Sequence, residues 1–125
     1  MISLNEVLQL HENSIRDYGG SLGVRDTNLL ESAMARPFQT FAGAELYPTV
    51  FEKAAALIES IVKNHPFIDG NKRTGFLAAF AFLMRNNLEI NADNFTAYNF
   101  VINIASSQLT FEQIVQWLKN NTSSL

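Results

Sequence analysis

The feature that most constrains the fold is a run of nine apolar residues from Phe76 to Met84. A helix formed by this run is apolar on almost every side, and such a helix normally lies at the centre of a domain. A helix start is predicted near Asn71, and Asn86 and Asn87 end the helix after the run. The sequence therefore predicts a central helix with other helices packed around it.

Five other helices are predicted from their start signals and from the helical spacing of their apolar residues. Three begin at predicted capping boxes, which are Ser3–Glu6, Thr49–Glu52 and Thr110–Gln113. The second helix ends before Pro37, and the fifth carries apolar residues from Phe95 to Ala105. Phe38–Tyr47 has no helical period and is either a loop or a short, weak hairpin before the third helix. Residues 1–125 are therefore predicted to form a single all-α domain, a compact bundle of about six helices.

The composition excludes several classes of protein. The chain has no cysteine, which excludes disulfides and thiolate chemistry, and its two histidines are too few for a histidine-rich metal site. The net charge is −3 without a block of Lys or Arg, so neither nucleic acid nor a membrane surface is indicated as a partner. Neither a long apolar stretch nor a signal peptide is found, and the cysteine-free composition fits a reducing cytoplasm, so a cytoplasmic protein is predicted.

The segment His65–Thr74 carries the residues with chemical potential, and it joins the third helix to the apolar helix. Pro66 ends the third helix, and a loop of about nine residues is predicted between that helix end and the start of the apolar helix. Unpaired N–H groups and the dipole at the following helix N-terminus favour an anion. Lys72 and Arg73 add two cations there, and Gly70 allows close approach of the backbone. Together they predict a phosphate site.

Two further side chains extend this prediction from binding to group transfer. Asp69 suits a ligand of Mg²⁺ that accompanies a nucleotide phosphate, and His65 suits a general base near neutral pH. A plainer interpretation stays open from the residues alone, because Asp69–Asn71 also suits a turn with a helix cap. In that case Lys72 and Arg73 are solvated surface cations, and His65 bonds the end of its own helix.

The pattern His65-x-Phe67-x-Asp69-Gly70-Asn71-Lys72-Arg73 resembles the signature loop of the Fic/Doc superfamily. Other segments resemble its death-on-curing (Doc) branch: Leu10–Glu12, Tyr18–Gly20, Gly23–Asp26, Leu30–Ala33 and Glu45–Pro48. The resemblance therefore extends over most of the chain and implies the helical Fic/Doc fold.

The resemblance also implies roles for individual residues. His65 is implied to be the base that takes a proton from the target hydroxyl, and Asp69 is implied to coordinate Mg²⁺. Lys72 and Arg73 are implied to bind the triphosphate of ATP and to stabilise charge in the transition state. Loop support is implied for Phe67, phosphate contact through the backbone for Gly70, and contact with phosphate or with the loop for Asn71.

Two departures from the Fic pattern indicate which branch the chain resembles. Fic-type AMP transferases are expected to have glycine at the position of Lys72 and a second arginine at the position of Phe76. Asn-Lys-Arg is the Doc arrangement, which implies that ATP binds in the reverse sense and donates its γ-phosphate. Gly70, in contrast, is more Fic-like than the alanine of the phage-type Doc loop.

The segment Phe38–Tyr47 corresponds to the flap that aligns the target peptide in this family. The docking residues implied there are Phe41, Gly43 and Glu45, and the alternative is a plain surface loop. Outside the loop and flap, Arg25 and Arg36 are interpreted as structural, and His11 as a semi-buried, hydrogen-bonded residue rather than a catalyst.

Regulation by a separate protein is also implied. The inhibitory helix of many Fic proteins has Ser or Thr, three residues, Glu, and then Gly or Asn. The nearest match runs from Thr27 to Glu31, but Ser32 follows it, so the motif is incomplete. A cognate antitoxin, with a flexible segment that folds into an apolar groove near the site, is therefore implied.

The resulting prediction is the toxin of a type II toxin-antitoxin system. It would be a kinase that uses Mg²⁺ and ATP to phosphorylate a Thr or Ser hydroxyl of a translation factor, and the resemblance implies elongation factor Tu. Fic-type AMP or nucleotide transfer is one alternative, and a non-catalytic module that binds an antitoxin or another partner is the second.

Overall fold

The computed structural model describes residues 2–125, and this part of the chain is dominated by six helices. They are α1 (Leu4–Tyr18), α2 (Thr27–Ala35), α3 (Val50–Asn64), α4 (Asn71–Met84), α5 (Asn94–Ala105) and α6 (Phe111–Asn120). A 3₁₀ turn, Arg36–Phe38, follows α2. The predicted all-α bundle of about six helices is confirmed. No helix within residues 2–125 is long and apolar enough to cross a membrane.

The helix starts follow the predicted capping signals. In α1 the Ser3 hydroxyl accepts from the Glu6 N–H at 3.2 Å, and the Glu6 carboxylate accepts from the Ser3 N–H at 3.0 Å. Thr110 and Gln113 form the same reciprocal pair at α6. At α3 the predicted box is only half formed: the Thr49 hydroxyl accepts from the Glu52 N–H at 3.1 Å, but the Glu52 carboxylate accepts from the Thr49 hydroxyl and not from the Thr49 N–H. These side-chain bonds satisfy donors that a helix leaves unpaired at its first turn.

The core is centred on α3, which contacts α2, α4, α5 and α6. Two stretches of α3 are fully buried, Ala54–Ile58 and Ser60–Val62. The prediction that α4 is the central helix is correct for one face only. Ala78, Ala79 and Leu83 of α4 are buried, whereas Phe76, Leu77 and Phe80 are half-buried. The apolar run of α4 therefore packs into the core on one side and lines an open cleft on another.

The segment before α3 is a short hairpin, one of the two predicted alternatives. Strand β1 (Thr40–Phe41) pairs antiparallel with β2 (Ala44–Glu45). Both residues of the connecting turn have positive φ, 51° at Ala42 and 81° at Gly43. Such turns match the twist of a two-residue hairpin.

A second small sheet lies outside the predictions. Strand β3 (Leu88–Ile90) pairs antiparallel with β4 (Thr122–Ser124) near the end of the chain. Each strand has three residues, and the partners are more than 30 positions apart in the sequence. Neither is long enough to show a period of two, so local pattern did not reveal the pairing.

Candidate functional site

The connection between α3 and α4 contains six residues, 65–70, which is fewer than the nine or so predicted for the loop, and α4 begins at Asn71, near the predicted helix start. The buried Asn71 side chain holds this connection from within. Its Nδ2 donates to the Phe67 carbonyl at 3.0 Å, and its Oδ1 accepts from the Phe67 N–H at 2.9 Å. Both polar groups of one loop residue are thus satisfied by a single amide, which fixes the loop against the first turn of α4.

Helix α1 supports the same loop through His11, which is 3% exposed. Its imidazole stacks on the buried Phe67 ring with centroids 3.9 Å apart and planes 10° from parallel. Nε2 lies 2.7 Å from the Asp69 carbonyl oxygen, and because that oxygen can only accept, Nε2 must carry the proton. The interpretation of His11 as a hydrogen-bonded structural residue is confirmed.

The N-terminus of α4 has no side-chain cap. Its N-cap, Gly70, has a φ of 75°, a left-handed conformation that glycine adopts without steric cost. A Cβ at this position would also lie 3.1 Å from Cδ1 of Ile15. The first-turn N–H groups of α4 therefore remain available for an anion, and the helix dipole favours a negative charge at the same point.

Asp69 presents an ionised carboxylate beside this helix end. Oδ2 accepts from the Ser21 N–H at 3.1 Å, and Oδ1 accepts from the Gly70 N–H at 2.8 Å. These two bonds, the Ser21 bond foremost, lower the pKa of the Asp69 carboxyl below its ordinary 3.8, and the charge of Arg73 acts in the same direction. Gly20 makes room for it, because a Cβ there would lie 2.7 Å from Oδ2 of Asp69.

The two cations of the motif have different surroundings. Arg73 is tied to α1, where its Nη1 donates to the Ser14 hydroxyl at 3.0 Å and to the Ser14 carbonyl at 3.2 Å. Its guanidinium also lies over the Tyr18 ring, 4.8 Å from the centroid. Lys72 is exposed, and its ammonium has no hydrogen-bond or ion-pair partner within residues 2–125. Arg73 is held in a fixed position, whereas Lys72 is free to reach a ligand.

The motif residues border a cleft of about 650 Å³ between α4 and α5, a volume typical of small-molecule sites. Its polar end is formed by the consecutive residues Asp69, Gly70, Asn71, Lys72 and Arg73. Its walls are largely apolar or aromatic and include Tyr18, Phe76, Leu77, Tyr98, Val101 and Ile102. An anion would bind at one end and an apolar or aromatic group along the walls.

His65 stands at the beginning of the loop and does not line this cleft. It ends α3 in a left-handed conformation, with φ 52° and ψ 57°, and its side chain is exposed. Its imidazole makes no hydrogen bond within the described part of the chain. The structure thus gathers Asp69, Gly70, Asn71, Lys72 and Arg73 at the cleft and leaves His65 accessible at the other end of the loop.

Of the hairpin residues predicted for docking, Glu45 is bound near the start of α3, whereas His65 follows the end of that helix. Glu45 pairs with Lys53 in the first turns of α3 at 2.9 Å, and Lys53 also donates to the Tyr47 carbonyl. Because a helix rises 1.5 Å per residue, Lys53 and His65 are about 18 Å apart along its axis. Phe41 is 76% exposed, and no atom fills the space beside Gly43.

Arg36 connects the end of the hairpin segment to α3. It donates to the Tyr47 hydroxyl at 3.0 Å and to the Glu59 carboxylate at 2.8 Å, which confirms a structural role.

Several contributors to the site lie outside the signature loop. Ser14 and Tyr18 hold Arg73, the Ser21 N–H binds Asp69, and Arg25 reaches the end of α3. Ser21 binds Asp69 through its backbone N–H, so its residue type in the sequence could not indicate this contact. Tyr18 belongs to the Tyr18–Gly20 segment, for which the sequence indicated a family resemblance and no contact with Arg73.

The fold and the site together define a helical domain with a cleft at one end of which a carboxylate and two cations meet at an uncapped helix N-terminus. The family model of the Fic/DOC family matches residues 1–83, and the chain belongs to that family.

Two curated relatives share the Doc name. The toxin Doc of Mycolicibacterium smegmatis is 49% identical over 76 residues, which cover 61% of this chain and 58% of that protein. The protein kinase doc of Escherichia phage P1 is 28% identical over 118 residues, which cover 94% of this chain and 92% of that protein. The match therefore spans little more than half of the mycobacterial toxin and almost all of the phage protein. Both names support the predicted Doc branch.

Proposed function

We propose that residues 1–125 act as a single Doc-type domain that transfers the γ-phosphate of ATP to a Ser or Thr hydroxyl of a protein. The observation that carries this proposal is the meeting of three charged groups, Asp69, Lys72 and Arg73, at the uncapped N-terminus of α4. A site that only bound an anion would gain nothing from a carboxylate held in its ionised state. A nucleotide accompanied by Mg²⁺ accounts for all three groups.

The residues at the cleft fit a Mg²⁺ ion that is bound together with the phosphates of a nucleotide. Within residues 2–125 no group of three His, Asp or Glu side chains could hold a metal, so a site made of protein ligands alone is not indicated. Mg²⁺ is usually held by one or two carboxylates together with phosphate oxygens and water, and the low pKa of Asp69 keeps one such carboxylate charged. When bound there, Mg²⁺ would neutralise charge on the phosphates.

The proposed chemistry assigns separate tasks to the two ends of the loop. At the cleft, the α4 N–H groups, Lys72 and Arg73 bind and orient the phosphates and stabilise negative charge in the transition state. At the start of α4, Asn71 and Gly70 hold the backbone in the shape that exposes those N–H groups. At the other end, His65 takes the proton from the target hydroxyl. The oxygen of that hydroxyl attacks the γ-phosphorus, and the bond between the γ-phosphorus and the ADP oxygen breaks, so that ADP leaves.

The γ-phosphate is proposed as the transferred group because Lys72 and Phe76 replace residues expected in AMP transferases. Phe76 is half-buried and lines the cleft with an apolar ring, so no second arginine is available at that position for the distal phosphates. The name of the phage relative, a protein kinase, is consistent with this direction of transfer. Elongation factor Tu is the proposed target on the basis of the family resemblance.

The test of this proposal is label transfer from ATP that carries the radioactive phosphate at either the α or the γ position. The purified chain, freed of any bound antitoxin, is incubated with Mg²⁺ and elongation factor Tu, and parallel reactions replace the factor with a bacterial lysate. We expect label on the target only from γ-labelled ATP and none when Mg²⁺ is chelated. Label from the α position would instead establish AMP transfer, and no label from either position would favour a non-catalytic module.

We further propose a cognate antitoxin as the regulator, because both relatives belong to the Doc branch. The apolar walls of the α4–α5 cleft, formed in part by Phe76, Leu77 and Val101, suit the apolar face of a helical segment. Bound there, such a segment would compete with the nucleotide. Docking of the target peptide on the hairpin, through Phe41, Gly43 and Glu45, likewise stays a prediction from the family resemblance.

A further inference from the structure

The backbone at His65 adopts a left-handed conformation, which is uncommon for residues other than glycine. A φ of 52° places this residue in the left-handed region, where the Cβ of an L-amino acid crowds the backbone. Its imidazole has no hydrogen-bond partner within residues 2–125, so the direction of the side chain depends on how firmly the backbone is fixed. Contacts to the backbone of His65 therefore decide where the proposed base points.

Arg25 supplies such contacts from a segment 40 residues away in the sequence. Its Nε donates to the His65 carbonyl at 2.7 Å, and its Nη2 donates to the Asn64 carbonyl at 2.8 Å. These are two consecutive carbonyls at the C-terminal end of α3, where no intrahelical donor is available. The planar guanidinium can bind both at once, which fixes their relative orientation.

The segment that carries Arg25 is itself joined to the loop by backbone bonds. The Arg25 and Asp26 N–H groups donate to the Pro66 carbonyl at 2.8 and 3.0 Å, and the Ile68 N–H donates to the Gly23 carbonyl at 3.0 Å. Val24 and Phe67 form an antiparallel bridge between these bonds. Because these bonds fix the backbone of Arg25 against the loop, its guanidinium starts from a fixed position when it reaches the end of α3.

We propose that Arg25 is a positioning residue, which orients the His65 imidazole by binding the carbonyls of Asn64 and His65. The nucleotide end of the loop is held independently, by the Asn71 amide on Phe67 and by His11 on the Asp69 carbonyl. Loss of Arg25 should therefore disturb the base and leave the phosphate site intact. Because Arg25 is exposed, its removal opens no cavity in the core.

A purely structural role for Arg25 predicts a different pattern of effects. If Arg25 only stabilised the end of α3, its loss would lower thermal stability without changing the rate per folded molecule. If it helped to bind nucleotide, its loss would raise the KM for ATP. A positioning role lowers kcat and leaves the KM for ATP nearly unchanged.

The experiment compares Arg25→Ala and Arg25→Lys with wild type and with Arg16→Ala as a matched control. Arg16 is exposed and, within residues 2–125, its side chain pairs only with neighbouring Asp17. Steady-state transfer gives kcat and the KM for ATP, and NMR of the untagged chain follows the imidazole signals of its two histidines. We expect Arg25→Ala to lower kcat by roughly 10- to 100-fold, and Arg25→Lys to recover part of it. The His65 signals should shift or broaden while those of His11 stay unchanged.

An unchanged kcat and unchanged His65 signals in Arg25→Ala would overturn the proposal, and so would a rise in the KM for ATP at constant kcat. The kinetic test rests on the proposed transferase activity, whereas the NMR test does not. If wild type transferred no phosphate from ATP, that result would contradict the proposed function but not the proposed role of Arg25. The histidine signals would then decide whether Arg25 orients His65.

Discussion

Replacing His65 with alanine is expected to lower the rate of phosphate transfer by roughly 10²- to 10⁴-fold, which is the usual contribution of a general base. The fold should be retained, because the His65 side chain is exposed and makes no hydrogen bond in residues 2–125. Binding of ATP should also be retained, since Asp69, Lys72 and Arg73 line the cleft without His65. The measurement is the initial rate of label transfer to the target, with thermal unfolding and ATP binding recorded in parallel.

A second variant separates the imidazole from the backbone at this position. Asparagine tolerates the left-handed conformation that His65 adopts, with φ 52°, better than alanine does. His65→Asn should therefore be as inactive as His65→Ala and at least as stable. Full activity in either variant would remove His65 from the proposed role of base, whatever the state of the loop.

Replacing Asn71 with alanine is expected to destabilise the chain by about 2–4 kcal/mol, the cost of leaving two buried polar groups unsatisfied. The Phe67 N–H and the Phe67 carbonyl both bind the Asn71 amide, and this part of the loop is buried. Activity should fall as well, because the loop would no longer hold the first turn of α4 and Asp69 in their relative positions. Urea unfolding followed by circular dichroism gives the free energy of unfolding.

The matched control is Asn103→Ala, which removes the same side chain from an exposed position of α5. Its free energy of unfolding should stay within about 0.5 kcal/mol of wild type. Equal stability of Asn71→Ala and Asn103→Ala would show that the Asn71 amide does not hold the loop.

Much of the helical framework was predictable because its signals are local. Ser3 and Thr110 cap their helices through residues three positions further on, and Pro37 marks the end of a helix within one turn. A helix end depends on its immediate neighbours, so a few residues carry the information. The strand pair β3–β4 lacks such a signal, because each partner is three residues long and its pairing is decided by the packing of the rest of the chain.

The candidate site was predictable in its composition and less so in its geometry. The residues of the signature loop could be identified from their order, but their individual tasks depend on distant partners. Asn71 was predicted to contact phosphate or the loop, and both its amide oxygen and its amide nitrogen bind the backbone of Phe67. The contacts of Arg25 with the end of α3 join residues about 40 positions apart, and no periodicity indicates them.

The apolar run of α4 shows a further limit of sequence patterns. Phe76 and Leu77 belong to the same unbroken apolar stretch as Ala78 and Ala79, yet the first two line the cleft and the last two are buried. Both environments select apolar side chains, since a ligand or partner that covers a cleft excludes water as a core does. Pattern alone therefore could not distinguish the wall of a binding site from the interior.

The phosphate site at the start of α4 is tested most directly by amide chemical shifts of the isotope-labelled chain on addition of Mg²⁺ and a non-hydrolysable ATP analogue. We expect the largest shifts at Asp69, Gly70, Lys72 and Arg73, followed by residues along the α4–α5 cleft. Lys72→Ala should weaken binding roughly tenfold without moving the site. Shifts confined to another surface, or shifts at the α4 N-terminus that are independent of both Mg²⁺ and Lys72, would contradict a nucleotide-phosphate site there.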